Sequence, residues 1–178
     1  MPLSASEPQT LLWQFQLTWR LAAIHLPHLT DALCLWEPAP GSWTVRQGAD
    51  GRWRPDLLIP EPEPAPPVTV GWLTWQIVWW QTGLLTAVRG EHPPAPEEIF
   101  WPGSAAAVRD KLEANSAAWL ELLDSFSDED WERPLAYPWP NPRPLRFAVA
   151  WANSELMKNI AEIGLLRHLY SVKNLSGL

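Results

Sequence analysis

Apolar residues recur at alternating steps of three and four along the first part of the chain, which is the spacing of one buried helix face. This stripe consists of Leu12, Phe15, Trp19, Ala22, Leu26, Leu29 and Leu33. Pro27 lies inside the stripe. A proline within a helix removes a hydrogen bond and clashes with the preceding turn. The pattern therefore predicts a first amphipathic helix that kinks or ends near His25.

Three later stretches have the same periodicity and predict further helices over about 69–88, 104–126 and 145–170. Ser104 is placed to cap the third helix, since a serine oxygen accepts from the free N–H groups of a first turn. The stripe of the third helix is Val108, Leu112, Asn115, Trp119 and Leu122; that of the fourth is Ala152, Leu156, Ile160, Ile163 and Leu166 or Arg167. Four amphipathic helices can close around one core. The sequence thus predicts an all-α fold, a four-helix bundle, in a single domain spanning residues 1–178.

The connection between the first two helices, residues 37–68, is long and rich in proline and tryptophan. Its centre, 44–53, has two short extended pieces around a Gly-Asp-Gly turn and predicts a short β-hairpin. A structureless loop of this length is rare inside a compact domain. We therefore expect the connection to be ordered and anchored by Trp36, Trp43 and Trp53. It is also long enough to let the second helix run parallel to the first.

Composition narrows the classes of function. The net charge is −7 and no basic stripe occurs, which argues against binding to nucleic-acid phosphates. Cys34 is the only cysteine, so no internal disulfide can form, and its apolar neighbours predict a buried thiol. Residues 1–10 lack the basic start of a secretory signal, and no segment has about 18 uncharged apolar residues. We therefore expect a cytoplasmic protein that does not enter the membrane.

Polar residues on the fourth helix form one candidate site. Glu155, Asn159 and Glu162 fall at i, i+4 and i+7, so they share a helix face. Side chains at this spacing can converge on an ion inside a bundle. Taken alone, such a stripe is more often a solvated helix edge, and Lys158 has the spacing of an ordinary ion pair with Glu162.

On the second helix, Gln76 lies among Trp72, Trp75, Trp79 and Trp80. A buried amide needs a hydrogen-bond partner, so Gln76 either pairs with a neighbour or belongs to a site. The histidines do not form a convincing metal set, since one lies in a proline-rich loop and two flank a proline; they are His25, His28, His92 and His168. No glycine-rich phosphate loop or Gly-x-Ser-x-Gly nucleophile is present.

Four segments together resemble the DinB-like (DinB/YfiT-like) superfamily, which includes metalloenzymes. They are LWEPAPGSWTVR (35–46), the acidic proline run before the second helix, GWLTWQIVWW (71–80) and WANSELMKNIAEIGLLRHLY (151–170). Their order and spacing carry the resemblance, which covers most of residues 10–170. The resemblance implies a four-helix bundle in up-up-down-down order, in agreement with the long first connection, and commonly a homodimer.

Members that keep the metal site bind a divalent ion through one histidine on the second helix and two on the fourth. Some of them transfer low-molecular-weight thiols, such as bacillithiol or mycothiol, to electrophiles. In this chain the matching positions are Gln76, Asn159 and Glu162, so all three histidines are replaced. An amide oxygen is a weak ligand compared with imidazole. We therefore expect no transition metal and no cofactor, and only weak binding of a hard divalent ion.

Three functions stay open. The first is a protein without the metal chemistry of its relatives that binds an unknown small molecule or acts as a structural homodimer. Its candidate ligand-binding residues are Gln76, Asn159, Glu162, Glu155 and Trp72. The alternative is a divalent-metal-dependent enzyme, a thiol S-transferase or hydrolase, with Glu162 as a ligand or general base. A weaker third is an interaction module that displays exposed tryptophans of the first connection. The sequence identifies no catalytic residue.

Overall fold

The computed structural model describes residues 6–175, and most of this range is helical. Residues 1–5 lie outside the described residues. They are the first half of the N-terminal segment in which no secretory signal is expected. The long helices are α1 (Glu7–His25), α3 (Val70–Val88), α4 (Ala105–Ser125) and α6 (Leu145–Leu175); the short ones are α2 (Asp31–Cys34) and α5 (Asp128–Glu132). The mostly helical fold predicted from the sequence is confirmed.

The helix ends follow from local chemistry. Helix α1 ends at His25, and Pro27 continues only a short 3-10 turn. The Thr69 hydroxyl accepts from the Trp72 N–H at 3.2 Å and caps α3. The Ser104 hydroxyl caps α4 in the same way. The ends of α3 and α4 and the cap at Ser104 match the prediction to within one residue, whereas α6 continues to Leu175, five residues beyond the predicted end.

Two small antiparallel sheets lie in the proline-rich connections. Strand β1 (Val45–Gln47) pairs with β2 (Trp53–Pro55), which confirms the predicted hairpin in the first connection. Gly51 has a φ of 78° in its turn, a conformation that glycine adopts without strain. Strand β3 (Pro134–Leu135) pairs with β4 (Arg143–Pro144) just before α6. The sequence pattern did not predict this second sheet.

The directions of the long helices differ from the predicted order. Along α1 and α6, Leu11 contacts Asn153 and His25 contacts Gly164, so these two helices run parallel. Helix α3 runs antiparallel to α6, because Gln76 contacts Asn159 and the Trp80 ring, one turn later, meets the ring of Trp151. Helix α4 is parallel to α3: Thr74, early in α3, bonds to Trp101 just before α4, and Gln81 bonds to Ser116 farther along both.

The order is therefore up, down, down, up, and the up-up-down-down order was wrong. The cause lies in the first connection, which does not cross the molecule. A Cβ on Gly71 would lie 2.8 Å from the Cys34 carbonyl oxygen, so α3 begins where α2 ends. The residues between them fold back as the β1–β2 hairpin. Helix α3 then starts at the end of the molecule where α1 finished and runs in the opposite direction.

The first connection packs against the helices through its aromatic residues. The ring of Trp43, which is 9% exposed, contacts Trp72 of α3 at 5.7 Å between ring centroids. Trp53 is half-buried against Trp101. Backbone hydrogen bonds join Trp43 to Pro67 and Thr69. Because these rings are packed, the first connection does not present them as an open tryptophan surface, which disfavours the interaction-module hypothesis.

None of the helices in the described range has the length and apolar character needed to span a bilayer.

Cys34 is expected to be chemically inert in the folded protein. It is fully buried, and burial raises the pKa of its thiol to about 12, with a smaller contribution from Asp31. Because the thiolate is the reactive form, native protein should not react with Ellman's reagent at pH 8, whereas unfolded protein should release one equivalent. The raised pKa favours folding below the thiol's ordinary value of 9.0, and this contribution is lost as the pH rises towards 12. Fast labelling of the native protein would contradict the predicted burial.

Candidate functional site

Helices α3 and α6 bring together two of the predicted site residues that are 83 positions apart in sequence. The Asn159 amide nitrogen donates to the Gln76 side-chain oxygen at 2.9 Å. The indole N–H of Trp80 donates to the Asn159 side-chain oxygen at 3.3 Å. Asn159 is fully buried, and both of its polar atoms are engaged. The two amides therefore form a closed hydrogen-bonded pair between the helices.

Glu162 lies one helical turn beyond Asn159 and is half-buried. Burial raises the pKa of its carboxyl group above the ordinary 4.5, and the nearby Glu155 acts in the same direction. The Lys158 ammonium and a hydrogen bond from Asn159 lower it and only partly offset these effects. Glu162 therefore lies beside the amide pair in surroundings that disfavour its ionised form.

The Lys158 ammonium bonds to Glu155 at 2.6 Å. The sequence had suggested Glu162 as its ion-pair partner. The spacing of i, i+3 to Glu155 satisfies Lys158 equally well. Glu155 is consequently an ion-pair partner on the flank of α6 and does not line the cavity described next. Of the five candidate residues, Gln76, Glu162 and Trp72 line that cavity, and Asn159 supports Gln76 from behind.

A cavity of about 390 Å³ opens beside the amide pair. Its floor and one wall come from α3, its rim from the first connection, and its polar end from α6. The lining residues are Trp43, Leu57, Leu58, Ile59, Glu61, Ala65, Pro66, Val68, Trp72, Leu73, Trp75, Gln76, Trp79, Lys158 and Glu162. The volume falls within the range of small-molecule sites, and the mostly apolar wall with a few polar groups is typical of them.

Three tryptophans of α3 form a ladder along the cavity. Trp72 and Trp75 have ring centroids 5.8 Å apart, and Trp75 stacks on Trp79 at 5.7 Å. Their indole N–H groups donate to backbone carbonyls of Asp56, Ile99 and Pro94. The donors of these three rings are therefore already used, and carbon surface is offered to the cavity mainly by the half-buried Trp79.

Sequence reasoning missed several residues of this site. Glu61, Lys158 and Trp79 line the cavity, and Trp80 fixes Asn159. The tryptophan wall has a sequence signal, since residues 72, 75, 76 and 79 share one helix face at steps of three and four. Glu61 has none: it lies in a proline run whose path depends on how the first connection packs.

The polar residues at this site do not fit a transition metal. The Gln76 oxygen, the atom that would coordinate an ion, accepts from Asn159, and the Asn159 oxygen accepts from Trp80. Of Gln76, Asn159 and Glu162, only Glu162 carries an anionic oxygen. Transition metals such as zinc prefer three or more imidazole or thiolate ligands. Within residues 6–175, no group of three histidine, cysteine or acidic side chains is arranged to hold a metal ion.

Replacing Glu162 with glutamine should stabilise the folded protein at neutral pH. The raised pKa means that folding favours the protonated carboxyl group. This contribution is present below the ordinary 4.5 and is lost as the pH rises through the folded-state pKa. Urea unfolding of Glu162→Gln should therefore give a higher free energy of unfolding than wild type at pH 7, and the difference should shrink below pH of about 4.5.

Glu155→Gln is the matched control, because it removes a carboxylate that bonds to Lys158. It should leave the free energy of unfolding unchanged or lower it slightly. A Glu162→Gln variant that is less stable than wild type at pH 7 would show that the carboxylate contributes a net favourable interaction.

Comparison with known proteins agrees with this architecture. The family model of the DinB superfamily matches residues 46–163, and the chain belongs to this superfamily. A crystal structure of a conserved protein from Enterococcus faecalis superposes with a TM-score of 0.60 at 16% identity, covering 90% of this chain and 95% of that one. At this identity the likeness shows a shared fold. No curated protein matches the chain in sequence.

Proposed function

We propose that this DinB-superfamily protein binds a small molecule in the cavity between α3, α6 and the first connection, without the metal chemistry of its histidine-bearing relatives. The observation that carries the proposal is the closed pair between Gln76 and Asn159 next to an open cavity of about 390 Å³. The positions that would hold metal ligands instead support a wall of the cavity. We therefore assign the region around Gln76 and Asn159 to small-molecule binding instead of metal coordination.

The composition of the cavity supports a ligand-binding role. An empty structural core would be closed by its own side chains, as protein interiors are close-packed. Here Leu58 and Ile59 stay 61% and 73% exposed at the rim, and Gln76 and Glu162 supply polar groups at the inner end. A ligand that enters would cover the exposed rim and meet both polar groups.

A thermal-shift screen with paired variants tests this proposal. Ala65 lines the cavity, and Ala65→Trp should fill part of it. Ala106→Trp is the matched control, since Ala106 is exposed in the first turn of α4. The screen uses small cationic, neutral and anionic compounds. We expect some of them to raise the melting temperature of wild type and of Ala106→Trp, but not that of Ala65→Trp. If no compound binds in a manner that Ala65→Trp blocks, the proposal is wrong.

The alternative function, a divalent-metal-dependent thiol S-transferase or hydrolase with Glu162 as ligand or general base, makes the opposite prediction. It requires that a divalent ion raise the melting temperature of the wild type, since a ligand at about 100 times its dissociation constant adds about 2.7 kcal/mol. The engaged amide oxygens disfavour it. Elemental analysis of protein supplied with zinc, nickel or manganese distinguishes the two: stoichiometric metal held through Glu162 would favour the enzyme.

We also propose that the protein is a cytoplasmic homodimer. Large apolar side chains are exposed on the neighbouring helices α1 and α6; they include Trp13, Leu21, Ile24, Leu165 and Leu169. Exposed apolar surface on adjacent helices often marks an interface. Sedimentation at micromolar concentration should give a dimer, and Ile24→Glu combined with Leu165→Glu should give a monomer. A wild type that sediments at the 20.2 kDa monomer mass would refute the dimer.

A further inference from the structure

We propose that the cavity selects a small organic cation, an alkylammonium ion whose charged group faces the tryptophan wall and the carboxylates of Glu61 and Glu162. This inference rests on the proposed function, because it requires that the cavity bind a small molecule. It assigns that molecule a charge and a chemical class.

The aromatic wall of the cavity favours a cation. Tryptophan has the strongest cation-binding face of the aromatic side chains, and clusters of such rings bind quaternary ammonium groups. Trp43, Trp72, Trp75 and Trp79 line the cavity. Trp75 is fully buried, so the open aromatic surface comes from the half-buried Trp79 and the small exposed parts of Trp43 and Trp72. The three indole N–H groups on α3 donate to backbone carbonyls, so these rings offer no donor that would favour an anion. The wall therefore attracts a cation more than an anion of the same size.

The charged side chains at the cavity have a net negative charge. The cavity is lined by two carboxylates, Glu61 and Glu162, and by one ammonium group, Lys158. That ammonium group is already neutralised by Glu155 at 2.6 Å, outside the cavity. With these four side chains ionised, three negative charges face one positive charge. Glu162 is half-buried, so its charge acts more strongly than it would in water, whereas the exposed Glu61 is screened by solvent.

Glu162 itself also favours a cation. Burial makes its ionised form costly, as the raised pKa indicates, and Lys158 only partly offsets that cost. A ligand cation beside Glu162 would stabilise the ionised form, as opposite charges do at close range. Binding should thus lower the pKa of Glu162, and acidification should weaken binding. The charged groups that act on Glu162 are Lys158 and Glu155 on α6. Glu61 lines the same cavity from the first connection, and α3 contributes the neutral Gln76.

Gln76 has a donor that would bind an oxygen atom on the ligand. The Gln76 oxygen is taken by Asn159, whereas its amide nitrogen makes no hydrogen bond within the described residues. This nitrogen can donate to an oxygen on the ligand. A cation with a hydroxyl or carbonyl oxygen a few bonds from its nitrogen would use both groups.

Calorimetric titration with choline tests the proposal, because choline carries a permanent positive charge and one hydroxyl group. Its carbon isostere, 3,3-dimethylbutan-1-ol, has nearly the same shape without the charge. Choline should bind at least about tenfold more tightly than the isostere, as interactions with a charged partner are the stronger ones. Equal affinity for the two compounds would overturn the cation preference while leaving the small-molecule proposal intact.

Variants locate the effect. Glu162→Gln should weaken choline binding about tenfold and leave the isostere unchanged. Glu61→Gln should weaken it less, since Glu61 is exposed, and Glu63→Gln, on an exposed side chain outside the cavity, should not change it. Choline affinity should fall as the pH is lowered towards 4.5, and Glu162→Gln should reduce that dependence.

Three outcomes separate the two proposals. Choline binding that Ala65→Trp blocks and Glu162→Gln weakens would support both. Binding of neutral or anionic compounds at the same place, with choline inactive, would overturn the cation inference alone. Absence of any binding sensitive to Ala65→Trp would overturn both.

Discussion

Zinc or nickel is expected to bind the variant in which Gln76, Asn159 and Glu162 are all replaced by histidine. The side chains of Gln76 and Asn159 touch across α3 and α6, and Glu162 lies one turn farther on. Three imidazoles there would form the ligand set that these metals prefer, with a fourth position open to water. At about 100 times the dissociation constant, bound metal should add about 2.7 kcal/mol to the free energy of unfolding, which raises the melting temperature by several degrees.

The single variant Gln76→His is the control for this experiment. It places one imidazole in the same surroundings and keeps Asn159 and Glu162, so it should bind metal far more weakly. Equilibrium dialysis with elemental analysis measures the stoichiometry, expected to be one ion per chain for the triple variant. A folded triple variant that binds no metal would show that the three positions do not converge on a common point.

Replacing Trp43 with alanine is expected to destabilise the protein by about 3 kcal/mol or more, since large-to-small changes of buried aromatics cost this much. Its indole is 9% exposed, packs on Trp72 and lines the cavity, so the change opens a void between the first connection and α3. Urea unfolding measures the loss. Ligand binding should weaken at the same time because the cavity loses part of its wall.

Trp13→Ala provides a matched comparison. Trp13 is 55% exposed on α1, and surface substitutions usually change stability by less than about 0.5 kcal/mol. If Trp43→Ala were as mild as Trp13→Ala, the first connection would not be held to the helices by this ring. Limited proteolysis of Trp43→Ala should then cut between β1 and β2 sooner than in wild type.

The contrast between Gln76 and Glu61 shows how far the candidate site could be predicted. The resemblance to the DinB-like superfamily matched Gln76 and its partner Asn159 to ligand positions of that family, and this match led to the prediction that they lie together. Periodicity alone would not have paired them, since the apolar pattern of one helix carries no information about which residues of another helix it contacts. Glu61 matches no motif, and it lines the cavity only because the first connection folds back over α3.

The directions of the helices likewise depend on packing between distant segments, which the sequence pattern did not reveal. The length of the first connection suggested that α3 would run parallel to α1. The connection instead folds into the β1–β2 hairpin and packs Trp43 against Trp72. It therefore returns to the end of the molecule at which it began. Length sets the greatest distance that a loop can span, whereas packing decides the distance it does span.

The sequence by itself determined most helix boundaries, the break at Pro27, the cap at Ser104, and the hairpin in the first connection. Each of these depends on residues within a few positions of one another, so local backbone chemistry is sufficient. Only the tertiary structure decided the up-down-down-up order of the helices, the choice of Glu155 instead of Glu162 as the ion-pair partner of Lys158, and the shape of the cavity. These depend on which faces of distant segments meet, and that outcome is set by the packing of large side chains such as Trp43 and Trp75 over the whole chain.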